Sequence, residues 1–312
     1  MPRRPIDIPV PDLTGRRALV TGGSDGIGLA LATRLAGAGA EVLLPVRDRR
    51  KGEAAVARIR ERHPAARIAL HDLDLASLDS VAALAARLTE EGAPLHLLVA
   101  NAGVMTPPER RTTEDGFELQ LGTNHLGHFA LVGRLLPLLR AGSARLVTQV
   151  SISAAQNAVR WDDLQWERSY QPMRAYSSSK IALGLFGLEL QRRSAAGGWG
   201  ITSDLAHPGI APTSLLAART ATGRSRDGLD VRTIRLLSRL GILVGTVASA
   251  ALPALLAATT DGDGGRMFGP GGPGHLGGAP AEIAPFSRVA DPADARRVWA
   301  ISEELTGVRF PA

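Results

Sequence analysis

The sequence predicts an α/β fold, a doubly wound parallel sheet with helices on both faces, and three observations predict it. Short apolar, β-branched runs alternate with Ala/Leu/Arg-rich helical patterns along most of the 312 residues. Runs such as LHLLVA and ARLVTQV are apolar almost without interruption, as strands covered on both faces must be. The first run leads into a glycine-punctuated turn and then a helical pattern, in VTGGSDGIGLALA.

Taken in order, strands are expected at Arg17–Thr21, Glu41–Val46, Arg67–Asp72, Leu95–Ala100, Ala144–Val150 and Thr202–His207. Helices are expected between them at Gly28–Gly37, Glu53–Arg62, Leu78–Glu90 and Ala175–Ala195. In the last helix Ile181, Leu185, Phe186, Leu188 and Leu190 form a broad apolar stripe. Residues 241–258, GILVGTVASAALPALLAA, carry no charge over about the length of a membrane span. Their Ala, Gly, Ser and Thr content and Pro253 make a helix packed on the sheet the better reading. Residues 213–240 are irregular and read as a substrate lid. Residues 261–285 are dense in Gly and Pro and read as a linker or a loop-rich flap. The helical pattern DPADARRVWAISEEL after them keeps that region inside one domain spanning residues 1–312.

Composition excludes several function classes. With no cysteine there is no disulfide, thiolate nucleophile or Cys-ligated metal, and no metal site is expected. The formal charge of +6 is modest for this length, the arginines are scattered, and aromatics make up 4%, so nucleic acid is not an expected partner. The opening MPRRPIDIPVPDLTG lacks the apolar core of a secretory signal, so a cytoplasmic protein without a stable membrane anchor is expected. Assembly into a homo-oligomer stays open.

The chemistry is carried by two places. Gly22, Gly26 and Gly28 stand where a strand turns sharply into a helix, so that backbone N–H groups can approach a pyrophosphate. The second strand then ends LLPVRD. Val46 occupies the place where an acid would hold ribose hydroxyls, and Arg47 follows, a cation suited to a 2′-phosphate. That favours NADP(H) over NAD(H), with Lys51 nearby.

The second place is RAYSSSK. The chain has only two lysines, Lys51 and Lys180, and two tyrosines, Tyr170 and Tyr176, yet one of each lies four residues apart on one helix face. A phenol needs tuning to move protons near neutral pH. Lowering its pKa by about 3 units takes roughly 4 kcal/mol, which a neighbouring ammonium and a nicotinamide cation are expected to supply. Upstream, RLVTQV ends at Ser151, whose hydroxyl would bond a substrate oxygen, with Ser153 as the alternative. Asn101 and Gly103 of VANAG would pack beside the nucleotide, and Asn124 of TNHLGHF would bend its helix or hold a water.

Together TGGSDGIG, ANAG, NHLGHF, YSSSK and HPGIAPT resemble the short-chain dehydrogenase/reductase superfamily over almost the whole chain. VRDRRKGEAA, LDLASL and RRVWAISEELTGV look like its retinol-dehydrogenase and WW-domain-oxidoreductase branch. The resemblance implies a Rossmann sheet, NADP(H), and a catalytic set of Asn124, Ser151, Tyr176 and Lys180. It implies that Gly22, Ser24, Asp25, Gly26, Ile27 and Gly28 line the pyrophosphate, and that Asp74 and Leu75 flank the adenine. Asn101, Ala102 and Gly103 would lie on the adenosine side, with Pro208, Gly209, Ile210 and Thr213 over the nicotinamide. The partner is then a small carbonyl or alcohol. Trp161 and Trp166, between Ser151 and Tyr176, would either stand near the mouth and favour a bulky apolar one or only close the core beneath the loop. Two rivals are a catalytically silent NADP(H) sensor or scaffold and an enone C=C reductase.

Overall fold

In the computed structural model, residues 6–212 and 244–311 are described. Their strands are β1 (Arg17–Val20), β2 (Glu41–Val46), β3 (Ile68–Asp72), β4 (Leu97–Ala100), β5 (Arg145–Gln149), β6 (Thr202–Ala206), β7 (Met267–Pro270) and β8 (Pro280–Ile283). They form one sheet in the order β3-β2-β1-β4-β5-β6-β7-β8. All neighbours pair in parallel except β7 and β8, which are antiparallel.

The period-2 alternation of each strand divides the core between the two faces. Ala18, Val20, Leu97, Val99 and Val147 pack on one side, against α1 (Gly26–Gly37), α2 (Arg49–Arg62) and α8 (Val247–Thr259). Leu19, Leu98 and Leu146 pack on the other, against α3 (Leu78–Glu91), α5 (Gly127–Arg134) and α7 (Pro172–Gly197). The last helix, α9 (Pro292–Thr306), lays Trp299 on this second side, 5.4 Å from Phe129 and 5.7 Å from Phe186 between ring centroids. The uncharged stretch around Pro253 is thus a core helix. Among the described residues no helix is long and apolar enough to cross a membrane.

The Gly/Pro region corrects the linker-or-flap reading. Residues 267–283 make the edge hairpin β7–β8, closed by a turn through Pro273–His275. Its strand pattern is hidden because Gly269 leaves space for His207: a Cβ at that position would lie 2.3 Å from His207 Nε2. Pro270 and Pro280, which cannot donate to a ladder, stand opposite each other at the last pair before the turn. The expected lid at 213–240, and Thr213 with it, lie outside the described residues.

After β1, β2 and β3 the chain returns to pair β4 on the free side of β1, so the strand order reverses between β1 and β4. A crevice at the carboxyl ends of those strands is where such a sheet binds its ligand.

Candidate active site

The glycine turn fills that crevice. Gly22 and Gly26 have φ of 66° and 54°, which side-chain-bearing residues rarely adopt. Gly28 is required for space instead: a Cβ there would sit 2.2 Å from Gly22 O and 2.6 Å from Asn101 Nδ2. The helix begins at Gly26, two residues before the glycine expected to open it, because the Asp25 carboxylate caps it by accepting the Gly26 N–H at 2.7 Å.

One cleft of about 210 Å³ gathers most of the expected residues. Gly22, Ser24, Asp25, Gly26, Ile27 and Gly28 line one wall, and Asn101, Ala102 and Gly103 form the floor. Tyr176, Lys180 and Pro208 close the far end, and two residues not expected there, Gln149 and Val150, join them. The strand pattern gave no sign of these two beyond their place just before Ser151.

Other expected residues stand outside this lining. Gly209 and Ile210 act from behind. Ile210 N–H donates to Leu276 O at 2.8 Å, and a Cβ on Gly209 would lie 2.4 Å from the same oxygen, so the β7–β8 turn supports the loop after β6. Leu75 is a buried member of the α3/α5 core rather than part of an open surface. Asp74 accepts the Ala76 N–H at 2.9 Å and stands 3.9 Å from the Arg47 guanidinium, which is largely exposed at the end of β2.

Tyr176 and Lys180 share one face of α7, both deeply buried. Burial pushes the Tyr176 phenol up to about 12, and the hydrogen bond with the Ser151 hydroxyl pulls the other way. Burial also pulls the Lys180 ammonium down to about 8, and its Nζ donates to Gln149 O at 2.8 Å. The lowering expected from the ammonium and a nicotinamide cation together is therefore not a property of the polypeptide by itself, where desolvation dominates the phenol. Ser151, not Ser153, is the tyrosine's partner. Ser153 stands behind it, with its hydroxyl donating to Ser151 Oγ at 3.1 Å.

Asn124 lies in a π-turn, Gly122–Leu126, between the short helix α4 (Leu119–Leu121) and α5. Its amide is clamped rather than open to the cleft: Oδ1 accepts the Val104 N–H at 2.8 Å, and Nδ2 donates to Val104 O and Ser179 Oγ. The tryptophans do not line the cleft. Trp166 is buried, and Trp161, half-buried, packs against the core beneath the loop with the Arg297 guanidinium 4.3 Å over its ring.

The site fits a dinucleotide, because the turn and floor are backbone surfaces kept bare where a Cβ would intrude. A parallel sheet opening there onto a buried tyrosine–lysine pair defines a nicotinamide-dependent oxidoreductase. Residues 16–223 match the short chain dehydrogenase family, and this chain belongs to it. Over 96% of its length it is 39% identical to polyprenol dehydrogenase of Mus musculus, covering 86% of that protein. It is 36% identical to retinol dehydrogenase 13 of Homo sapiens, across 96% of this chain and 87% of the relative. The expected retinol-dehydrogenase branch is thus correct.

Among solved structures, an uncharacterised protein from Mycobacterium paratuberculosis superposes with a TM-score of 0.77 at 34% identity, with 97% of each chain covered. A short chain dehydrogenase from Burkholderia cenocepacia in complex with NADP gives 0.61 at 27%, covering 81% of this chain and 94% of the other. The protein is an NAD(P)-dependent oxidoreductase acting on an alcohol or a carbonyl.

Proposed function

We propose that this chain reduces a carbonyl, or oxidises the matching alcohol, on a bulky and mostly apolar small molecule. It does so with NADP(H) in preference to NAD(H), and Asn124, Ser151, Tyr176 and Lys180 form its catalytic set. The observation that carries the reading is the Tyr176 phenol, bonded to Ser151 and exposed with Lys180 to the cleft that the glycine turn opens.

Bound nicotinamide supplies or takes up the hydride; the chain's own residues manage the oxygen and its proton. With its pKa near 12, Tyr176 is neutral at pH 7 and holds the proton that a reduced carbonyl oxygen must receive. Ser151 bonds that same oxygen and is oriented from behind by Ser153. Lys180, with a pKa near 8, is still mainly a cation at neutral pH. One of its three donors goes to Gln149 O, which leaves two for a ribose hydroxyl and the phenol. Asn124 holds Val104, and with it the loop that follows the cleft floor.

Arg47 supports NADP(H). It is exposed at the end of β2, where Val46 takes the place of a ribose-binding acid, and its 3.9 Å pairing with Asp74 is loose enough to yield. The relative from Burkholderia cenocepacia, whose structure holds NADP, supports it as well. An apolar substrate is supported by the polyprenol and retinol named for the curated relatives, not by the tryptophans. Met173, 46% exposed one helical turn before Tyr176, adds an apolar surface on the same side of α7. The same proposal has the chain working as one domain in the cytoplasm, supported by its single sheet and its lack of cysteine.

The test is NADPH and NADH oxidation with isoprenoid aldehydes, bulky ketones and enones, with each product identified. Alcohol products formed faster with NADPH are expected. Saturated ketones from the enones would replace this reading with C=C reduction. Cofactor binding without turnover on any substrate, or on the alcohols in reverse, would favour a sensor.

A further inference from the structure

Two clamps hold the cleft floor. At its start, Thr21 Oγ1 accepts the backbone N–H of Asn101 at 2.9 Å and of Ala102 at 3.0 Å, while Thr21 O accepts Asn101 Nδ2 at 2.8 Å. At its end, Asn124 grips both backbone groups of Val104. Between them lies Gly103, where a Cβ would be 3.0 Å from Asn124 Oδ1 and 3.5 Å from Lys180 Nζ.

His128 joins the two clamps. Its ring is fully buried, with Nδ1 2.9 Å from Asn124 O and Nε2 2.9 Å from Thr21 Oγ1. Proton placement follows from donor count. A carbonyl only accepts, so Nδ1 carries the hydrogen. Thr21 already accepts two amides and has one hydrogen to give, and the bare Nε2 at 2.9 Å is nearer than Val99 O at 3.2 Å. Burial, with the Lys180 charge as a smaller cause, holds the imidazole down to about 4 and hence neutral.

We propose that His128, fixed as its Nδ1–H tautomer, is a positioning residue. It locks the floor Asn101–Val104 between the glycine turn and Asn124, and so sets where the dinucleotide lies against Lys180. Its role rests on reading the cleft as the cofactor site; its tautomer does not.

The first test is long-range ¹H–¹⁵N correlation of the histidine rings in the whole protein at pH 7, with His128→Gln assigning the signal. A protonated Nδ1 with a bare Nε2 is expected. An Nε2–H ring or an imidazolium would overturn the proposal. The second test is NADPH affinity, by fluorescence, of His128→Gln and His128→Asn. Gln keeps an acceptor near the Nε2 position for Thr21, whereas Asn keeps only a donor near the Nδ1 position. The Asn variant is expected to bind about fivefold or more weakly than the Gln variant. A histidine that merely fills space would leave the two affinities equal, and equality or the reverse order overturns the proposal. If the wild type binds no NADPH, the cofactor reading fails while the tautomer still reports on the network.

Discussion

Gly28→Ala isolates the claim that the glycine turn is a cofactor cradle. Gly28 does not need a left-handed φ, so the substitution acts through space alone. The new Cβ would lie 2.2 Å from Gly22 O, and an ordinary contact is more than 1 Å longer, so the backbone at Gly22 must retreat by about 1 Å. Asn101 Nδ2, 2.6 Å from the same point, would be pushed off Thr21 O. Overpacking of this kind costs about 1–3 kcal/mol, and the better helix propensity of alanine returns up to about 1. The net loss of stability is thus small, on the order of 1 kcal/mol. Binding suffers more. Misplacing even one N–H that meets a charged phosphate loses about 1.5–3 kcal/mol, a rise in Kd of roughly 10- to 150-fold. NADPH titration by fluorescence, with a thermal melt alongside, reads both quantities. A fully stable variant with wild-type affinity would refute the placement of the pyrophosphate at this turn.

Arg47→Ala is expected to weaken NADPH binding by about 10- to 100-fold through loss of a charge-assisted phosphate contact, with NADH affinity little changed. Parallel titrations check this, and an equal loss for both cofactors would leave Arg47 without a role in selecting the phosphate. Acid should destabilise the fold through its buried neutral histidines. His125 is held down to about 3, and His128 and His207 to about 4, each by burial first. Their contribution is complete above the unfolded value of 6.5 and is lost as pH falls toward the folded values, because only the unfolded chain takes up the protons. Between pH 7.5 and 5 each loses about 2 kcal/mol, together roughly 6, which is comparable with the whole stability of a domain. Urea unfolding across that range should show about three protons taken up on unfolding near pH 5. Uptake of fewer than one would contradict the assignment.

Much of this was legible in the sequence, for physical reasons that also explain the rest. Strands covered on both faces are mostly apolar, so β1, β2, β4 and β5 stood out as runs, and Gly22 and Gly28 are demanded by local geometry at their own positions. β7 and β8 were masked because close approach of His207 and an edge position favour glycine and proline over the usual strand residues. Spacing shows that Lys180 is near Tyr176 but not that both groups are desolvated in the polypeptide. Nor does spacing show how Asn124 is used. Its amide is consumed by Val104, a residue 20 positions away brought close by the β4 crossover. Sequence position left Trp161 and Trp166 at the mouth or beneath the loop; Trp166 is buried there and Trp161 is half-buried against the core.

The central claim is that the Tyr176 phenol delivers the proton, and Tyr176→Phe tests it most directly. The variant keeps the ring, so NADPH affinity should stay within a few-fold of wild type when titrated beforehand. Single-turnover reduction of the best carbonyl substrate should then slow by about 100-fold or more, the usual worth of a positioned general acid. A variant that binds NADPH and reduces that substrate at the wild-type rate would contradict the account.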